Sequence, residues 1–171
     1  MRVRQLGEDI SREYKDKGTI LVIGLLNGAF MFVSDLLKHL QVPYEVDFMV
    51  CSSYGVSTES SGSVKLKKDV SINPANRHIL IVEDLIDTGT TLTWLMSHLT
   101  SKGPASIRLA VFLDKISQRK TVTKCDFIGY ICPDEFVVGY GMDFAHSYRC
   151  LPFIASLKPS AYSAPPSALP L

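Results

Sequence analysis

The spacing of apolar residues predicts strands that alternate with helices along most of the chain. Four segments of strand length are predicted, and the first and third of them have the continuous apolar character of strands buried on both faces. They cover residues 19–26, 44–54, 78–86 and 106–114. Helical spacing of apolar residues predicts helices over residues 3–17, over residues 29–40 and after the turn at residues 87–91. This alternation is typical of an α/β fold with a central, mostly parallel sheet flanked by helices.

The remaining segments are shorter or more polar. Residues 52–63 are rich in Ser, Gly and Thr and predict a long mobile loop, which a short return strand at 64–66 follows. Shorter strands fit residues 127–132, 136–140 and 151–157. The tail at 159–171 holds four prolines with Ser and Ala between them, so we expect it to be disordered or laid over the surface. The predicted organisation is one domain at 1–158 and this tail.

Composition narrows the class of protein. The chain has 171 residues, 46% of them hydrophobic and 20% charged, which suits one globular domain. Its net charge of +1 and the lack of a basic stripe argue against nucleic acid as a partner. No apolar stretch reaches membrane-spanning length, and the N-terminus lacks a secretory core. Four cysteines without CxxC or zinc spacing indicate reduced thiols, so we expect a cytoplasmic protein.

Three carboxylates follow one buried strand. Glu83 and Asp84 end the run at 78–86, Asp87 comes three residues after Asp84, and Thr88-Gly89-Thr90-Thr91 leads into a helix. In parallel sheets, ligands bind where strands end at their carboxyl edge. Threonine, glycine and a helix N-terminus suit a phosphate, and adjacent carboxylates suit sugar hydroxyls or magnesium. The segment therefore predicts a site for a phosphorylated sugar.

The alternative is an ordinary strand-to-helix turn with an Asp and Thr cap. Asp-Thr-Gly alone favours that alternative. Three carboxylates at the end of an apolar strand cost folding energy unless a ligand uses their charge, so the longer motif favours a site.

The motif resembles the phosphoribosyl-pyrophosphate signature of type I phosphoribosyltransferases, and other segments resemble the hypoxanthine-guanine branch of that family. Leu26-Asn27-Gly28-Ala29-Phe30 resembles its pyrophosphate loop, and Ser52 to Gly55 resembles the start of its catalytic lid. Its base-recognition region and C-terminal end are matched in order by Leu113-Asp114-Lys115 through Arg119, Lys124 to Gly129, Pro133 to Asp143, Tyr148-Arg149 and Leu157-Lys158-Pro159. The resemblance implies the type I fold, with a small hood from the N- and C-terminal segments and a mobile lid.

The resemblance also implies a role for each matched residue. Asp87 is the acid/base group beside the purine. Glu83, Asp84 and Asp143 hold Mg²⁺, the first two also binding the ribose hydroxyls and the third helping to hold the metal or the base. The other substrate-binding residues implied are Asn27, Gly28 and Arg149 for pyrophosphate, Ser53 and Tyr54 in the lid, Thr88, Gly89, Thr90 and Thr91 for the 5′-phosphate, and Lys124, Phe136 and Val137 for the base. Taken singly, Lys124 and Arg149 read as surface residues, Phe136 as core and Tyr54 as a loop aromatic.

The implied activity is purine salvage. Phosphoribosyl pyrophosphate and hypoxanthine or guanine would give the nucleoside monophosphate and pyrophosphate, in a homodimer or homotetramer. Two departures from the family stand out, Asn27 where it has Lys, and a missing N-terminal stretch that suggests a truncated or alternative start. A xanthine-preferring enzyme, a catalytically weak nucleotide-binding regulator of this fold and a receiver-type domain phosphorylated on Asp84 or Asp87 are the alternatives.

Overall fold

The computed structural model describes residues 1–53 and 64–162, with Ser53 and Tyr162 described by their backbone alone. The helices are α1 (Arg2–Tyr14), α2 (Phe30–Leu37), α3 (Thr90–Thr100) and the single turn α4 (Pro159–Tyr162). The strands are β1 (Ile20–Leu26), β2 (Tyr44–Ser53), β3 (Val64–Lys68), β4 (His78–Ile86), β5 (Ser106–Asp114), β6 (Phe127–Ile131), β7 (Val137–Val138) and β8 (Ala155–Ser156). A short 3-10 helix covers Ile116–Gln118.

A six-stranded sheet forms the centre of the molecule, and its order is β3-β2-β1-β4-β5-β6. All neighbouring strands are parallel except β2 and β3. A second, two-stranded sheet pairs β7 with β8 in antiparallel fashion. The predicted α/β class with a mostly parallel sheet is therefore confirmed.

The central strands are buried on both faces, which explains their continuous apolar runs. Successive side chains of a strand point to opposite faces, so β1 and β4 contribute to two separate clusters. Ile20, Val22, Leu80 and Val82 pack with α1 and α2 on one face. The alternate positions of the same strands pack with α3 on the other face. Both strands are thus enclosed by apolar side chains over nearly their whole length.

The elements end earlier than the apolar pattern predicts where the backbone changes its hydrogen bonding. Helix α2 stops at Leu37 rather than at residue 40, because His39 and Leu40 donate to the carbonyls three residues earlier. Strands β7 and β8 are two residues each, since Gly139, Tyr140 and Gly141 all have positive φ and turn the chain away. These turns bring the C-terminal segment back over the sheet.

The structure also bears on the expectations for the cysteines and for membrane-spanning segments. The four cysteines are all free thiols, Cys51, Cys125, Cys132 and Cys150. None of the helices in the two described ranges has the length and apolar content that crossing a bilayer requires. The residues from 163 onward, which make up most of the predicted tail, lie outside the described residues.

Asp47 ties the β2 and β3 edge of the sheet to the segment that follows β3. Its buried carboxylate accepts hydrogen bonds from the backbone N–H groups of Phe48, Ser71 and Ile72 and from Lys68 Nζ at 3.0 Å. Burial by itself raises the pKa of Asp47, but these backbone donors and Lys68 outweigh it and lower the pKa to about 2.

We expect Asp47→Asn to lower the free energy of unfolding by ~2–3 kcal/mol at pH 7, because the amide turns new donors toward the existing ones. The carboxylate's contribution is present above its ordinary pKa of 3.8 and is lost as the pH falls from there to about 2. Urea unfolding at pH 7 and near pH 2 measures this, with the surface change Asp9→Asn as control. An equal loss of stability at both pH values would contradict the role given to the charge.

Candidate active site

The candidate site lies where β1 and β4 end side by side. From β1 the chain turns toward β2, and from β4 it turns toward β5 on the other side, so a gap opens at the carboxyl ends of the two strands. A cleft of about 330 Å³ occupies this position. It is lined by Gly28, Asp84, Leu85, Asp87, Lys115, Phe136, Val137, Met142, Asp143 and Arg149. Most residues that the sequence assigns to the base, ribose and pyrophosphate therefore lie together.

The floor of the cleft is backbone packed directly against a carboxylate. A Cβ atom added to Gly28 would lie 2.0 Å from Asp84 Oδ2, so only glycine fits after β1. A Cβ atom added to Gly141 would lie 2.0 Å from the Gly28 carbonyl oxygen. Gly141 also has φ of +104°. Asn27 precedes Gly28 in this turn and is exposed to solvent.

The two adjacent acids have different surroundings, as alternate positions of a strand require. Asp84 lines the cleft beside Gly28, whereas Glu83 is not among the lining residues. Burial raises the pKa of Glu83 well above its ordinary value, and the neighbouring Asp84 carboxylate raises it further. Glu83 therefore holds its proton more tightly than an exposed glutamate does while no cation is bound.

Asp87 and the turn after it begin helix α3. Asp87 is exposed at the cleft wall, and Gly89, with φ of +81°, occupies the N-cap position. The backbone N–H groups in the first turn of a helix have no partner within that helix and carry the positive end of its dipole. Thr88 to Thr91 thus offer N–H groups and hydroxyls next to the cleft, in the arrangement that suits a phosphate.

Asp143 and Arg149 form an ion pair across a tight hairpin. Arg149 Nη2 lies 2.8 Å from Asp143 Oδ1, and Arg149 Nη1 donates to the Gly141 carbonyl at 2.7 Å. Asp143 Oδ2 accepts the His146 N–H at 2.8 Å. Ala145 and His146 have positive φ, which costs energy for residues other than glycine. The carboxylate of Asp143 thus holds both the strained turn and the guanidinium in place.

Phe136 provides an aromatic face at the opposite side of the cleft. Its side chain is 38% exposed, and its ring packs edge-on against Phe144 with the ring centroids 5.5 Å apart. Val137 follows it as the first residue of β7. Phe136 thus presents a planar ring beside the exposed backbone of the cleft rather than serving as plain core.

Lys124 does not line this cleft, and Lys115 does. Lys124 lines a separate cleft with Thr93, Arg108 and Asp126. Lys115 directly follows β5, is only 8% exposed and donates its backbone N–H to the Ile86 carbonyl at 3.0 Å. Lys115 belongs to a segment that resembles the base-recognition region, but the sequence assigned it no role of its own. The rule that ligands bind at the carboxyl ends of parallel strands would have selected it, because it stands at the end of β5.

The two residues that the sequence assigns to the lid lie at the end of a described range or beyond it. Ser53 ends β2, and Tyr54 with most of the proposed lid lies outside the described residues. Within residues 1–53 and 64–162, no group of three or more His, Cys, Asp or Glu side chains is arranged to hold a metal ion. Of the three acids assigned to magnesium, Asp84 and Asp143 share the cleft and Glu83 stands beside it.

Comparisons with known proteins identify relatives across nearly the whole chain. The phosphoribosyl transferase domain family matches residues 1–145. The hypoxanthine-guanine phosphoribosyltransferase of Bacillus subtilis is 47% identical over 163 residues, which cover 95% of this chain and 90% of that protein. The hypoxanthine phosphoribosyltransferase of Escherichia coli K12 is 45% identical over 157 residues, which cover 91% of this chain and 88% of that protein.

Solved structures agree with these relatives. A hypoxanthine phosphoribosyltransferase from Staphylococcus aureus superposes with a TM-score of 0.90 at 40% identity, covering 95% of this chain and 88% of that one. A hypoxanthine-guanine phosphoribosyltransferase from Bacillus anthracis gives a TM-score of 0.87 at 41% identity and covers 92% of each chain. The fold and the order of the motifs are thus shared with these proteins.

The raised pKa of Glu83 predicts how stability depends on pH. Above the ordinary pKa of 4.5 the folded chain binds more protons at Glu83 than the unfolded chain, so stability falls as the pH rises from that value. We expect Glu83→Gln to raise the Tm of the ligand-free protein by ~2–4 °C at pH 7, a shift that corresponds to about 1 kcal/mol at this size. The gain should shrink as the pH approaches 4.5.

Differential scanning calorimetry from pH 4.5 to pH 8 makes this measurement. Glu8→Gln, on the exposed face of α1, is the control for loss of a charge without burial. A Glu83→Gln variant less stable than the wild type at pH 7 would show that the carboxylate is stabilising as an ion.

Proposed function

Because this chain belongs to the hypoxanthine-guanine phosphoribosyltransferase family, we propose that it transfers the 5-phosphoribosyl group of phosphoribosyl pyrophosphate to hypoxanthine or guanine. The products are the nucleoside monophosphate and pyrophosphate. The observation that carries this proposal is that Asp84, Asp87, Lys115 and Arg149 line one cleft next to the first turn of α3. No feature of the described residues favours the regulator, the receiver-type domain or a preference for xanthine.

The cleft divides into parts that suit the parts of the substrates. The first turn of α3 offers N–H groups and the hydroxyls of Thr88, Thr90 and Thr91 to the 5′-phosphate. Asp84, and Glu83 beside it, accept hydrogen bonds from the ribose hydroxyls. Gly28 and Arg149 face the pyrophosphate, where the absence of a side chain lets the phosphate oxygens approach the backbone.

The base is held between a planar ring and hydrogen-bonding groups. Phe136 stacks on the purine, and the backbone of Val137 meets the edge of the ring. Lys115 donates to the 6-oxo group, a role that the sequence had given to Lys124. Lys115 is favoured over Lys124 because it is nearly buried and lines the cleft. A buried ammonium has little contact with water, so a hydrogen-bond acceptor on the ligand compensates for the lost hydration.

The reaction exchanges one bond at the anomeric carbon for another. The bond from that carbon to the pyrophosphate oxygen breaks, and a bond to the imidazole nitrogen of the purine forms. Positive charge develops on the ribose meanwhile, and the carboxylates of Asp84 and Asp87 stabilise it from fixed positions. Asp87 receives the proton that the purine nitrogen gives up.

Magnesium fits the donors of this cleft only together with the substrate. Mg²⁺ is usually held by one or two carboxylates plus substrate phosphates, and Asp84 and Asp143 are the carboxylates available in addition to Asp87. When bound, the cation neutralises the negative charge of the departing pyrophosphate. Arg149 contributes a further positive charge, which its ion pair with Asp143 offsets. Cytoplasmic location and a homodimer or homotetramer remain part of this proposal.

We expect Asp87→Asn to fold normally and to lose ~10²- to 10⁴-fold in kcat, since an amide cannot accept the purine proton. A spectrophotometric assay with hypoxanthine, phosphoribosyl pyrophosphate and Mg²⁺ measures kcat, and calorimetry checks folding. Asp16→Asn, an exposed acid after α1, is the matched control. A kcat within about threefold of the wild type would remove Asp87 from the acid/base role.

Lys115 and Lys124 give a matched pair of variants. An ammonium has donors and no acceptor, so it pairs with a 6-oxo group and not with the amino group of adenine. We expect Lys115→Met to lower kcat/KM for hypoxanthine and guanine by ~10- to 100-fold, the worth of a hydrogen bond to a charged group. Lys115→Met should also lower the ratio of kcat/KM for hypoxanthine to kcat/KM for adenine. Lys124→Met should change neither quantity.

Steady-state kinetics with hypoxanthine, guanine and adenine decide between the two lysines. If Lys124→Met alone lowered the rate with 6-oxopurines, the original assignment would stand and the assignment to Lys115 would fail. Equal stability of the two variants, measured by thermal unfolding, keeps the comparison free of folding effects.

A further inference from the structure

Two segments meet beside the cleft, and the proposed roles put them on different parts of the substrate. The Thr88–Thr91 turn faces the phosphate. The segment from Lys115 to Thr123, here named the base-side segment, begins at the lysine proposed to read the purine. Along the sequence these segments are separated by all of α3 and β5.

Backbone hydrogen bonds join the segments on either side of the acid/base residue. Lys115 donates its N–H to the Ile86 carbonyl at 3.0 Å, just before Asp87. Lys120 donates its N–H to the Thr88 carbonyl at 2.9 Å, just after Asp87. Asp87 is thus bracketed by two bonds to the base-side segment.

A chain of threonine hydroxyls continues the contact to α3. Thr121 Oγ1 donates to the Thr88 carbonyl at 3.4 Å and lies 2.9 Å from Thr123 Oγ1. Thr123 Oγ1 lies 3.0 Å from Thr93 Oγ1, and Thr93 Oγ1 donates to the Gly89 carbonyl at 3.0 Å. The hydroxyl protons of Thr121 and Thr93 are used by the two carbonyls. The single hydroxyl proton of Thr123 is therefore shared between its contacts with Thr121 and Thr93.

The contact leaves no space in which the segments could slide. A Cβ atom added to Gly89 would lie 2.4 Å from Thr121 Oγ1 and 3.0 Å from Thr123 Oγ1. Gly89 is the N-cap of α3, so the hydroxyls press on the residue from which the phosphate-facing N–H groups begin.

The far end of the base-side segment is attached to the strand that carries Lys115. Arg119 forms an ion pair with the buried Asp114, the residue before Lys115. Its other guanidinium nitrogen, Nη1, donates to the Thr123 carbonyl at 2.8 Å. The guanidinium of Arg119 thus joins the Thr123 end of the base-side segment to the end of β5.

We propose that Thr121 and Thr123 are positioning residues that couple the two halves of the site, so that a phosphate bound at the Thr88–Thr91 turn sets the position of Lys115 for the purine. This inference rests on the proposed function. It predicts that a ligand bound at the Thr88–Thr91 turn raises the affinity of the protein for the purine base. The increase should exceed what direct contact between the two ligands provides. Such coupling between sites is typically worth ~5- to 150-fold in affinity.

The test measures guanine binding to the full chain by isothermal titration calorimetry, with and without saturating ribose 5-phosphate. In the wild type we expect ribose 5-phosphate to tighten guanine binding by ~5-fold or more. Thr123→Val and Thr121→Val keep the shape of the side chain and remove the hydroxyl, and both should reduce that gain to below about twofold. Thr123→Ser restores the hydroxyl and should restore the gain.

Thr100→Val is the matched control, because the Thr100 hydroxyl donates to the Met96 carbonyl at the far end of α3. A gain that stays at the wild-type value in both valine variants would overturn the proposal. So would weaker ribose 5-phosphate binding with an unchanged gain, since the threonines would then shape only the phosphate turn. The absence of any gain in the wild type would overturn it as well.

Failure of the proposed function is recognised separately. A wild-type protein that binds ribose 5-phosphate but converts neither hypoxanthine nor guanine to its nucleotide would contradict the function. A wild type that turns over both bases, with valine variants that keep the full gain, would contradict only the coupling.

Discussion

Strands β1 and β4 are buried on both faces, and this confines the polar groups at their C-terminal ends to the one place where the strands leave the sheet. Apolar clusters on either side exclude polar groups from the strand interiors. The chain diverges from the ends of these two neighbours in opposite directions, so the space above them is left open. The cleft, the acids around it and the turn of α3 all follow from this pairing.

Surroundings decide what a carboxylate does in this molecule. Asp47 is buried among N–H donors, which hold its charge in place and make it part of the sheet edge. Glu83 is half-buried beside another carboxylate, which favours its protonated form. Asp143 lies between these extremes, because Arg149 and the His146 N–H already occupy its oxygens. The two acids at the strand end therefore disfavour each other's charge, whereas each oxygen of the hairpin acid already faces one donor.

Sequence reasoning succeeded where local pattern and burial agree. The bounds of β4 and β5 match the apolar runs because both faces of these strands are covered, and the acidic pair near the end of β4 was found because it interrupts such a run. It put Lys124 at the base, whereas Lys124 lines a separate cleft, because the path of the loop after β5 depends on contacts with the distant Thr88 and Gly89. The proximity of Gly28 to Asp84 is likewise long-range, and no periodicity encodes it.

The glycine floor of the cleft has a consequence for inhibitors. Because Gly28 lines the cleft and cannot accept a methyl group without displacing the Asp84 carboxylate, a compound that rests on this floor touches a residue that substitution cannot enlarge. Resistance by enlargement of the contacting residue is therefore blocked at this point of the cleft.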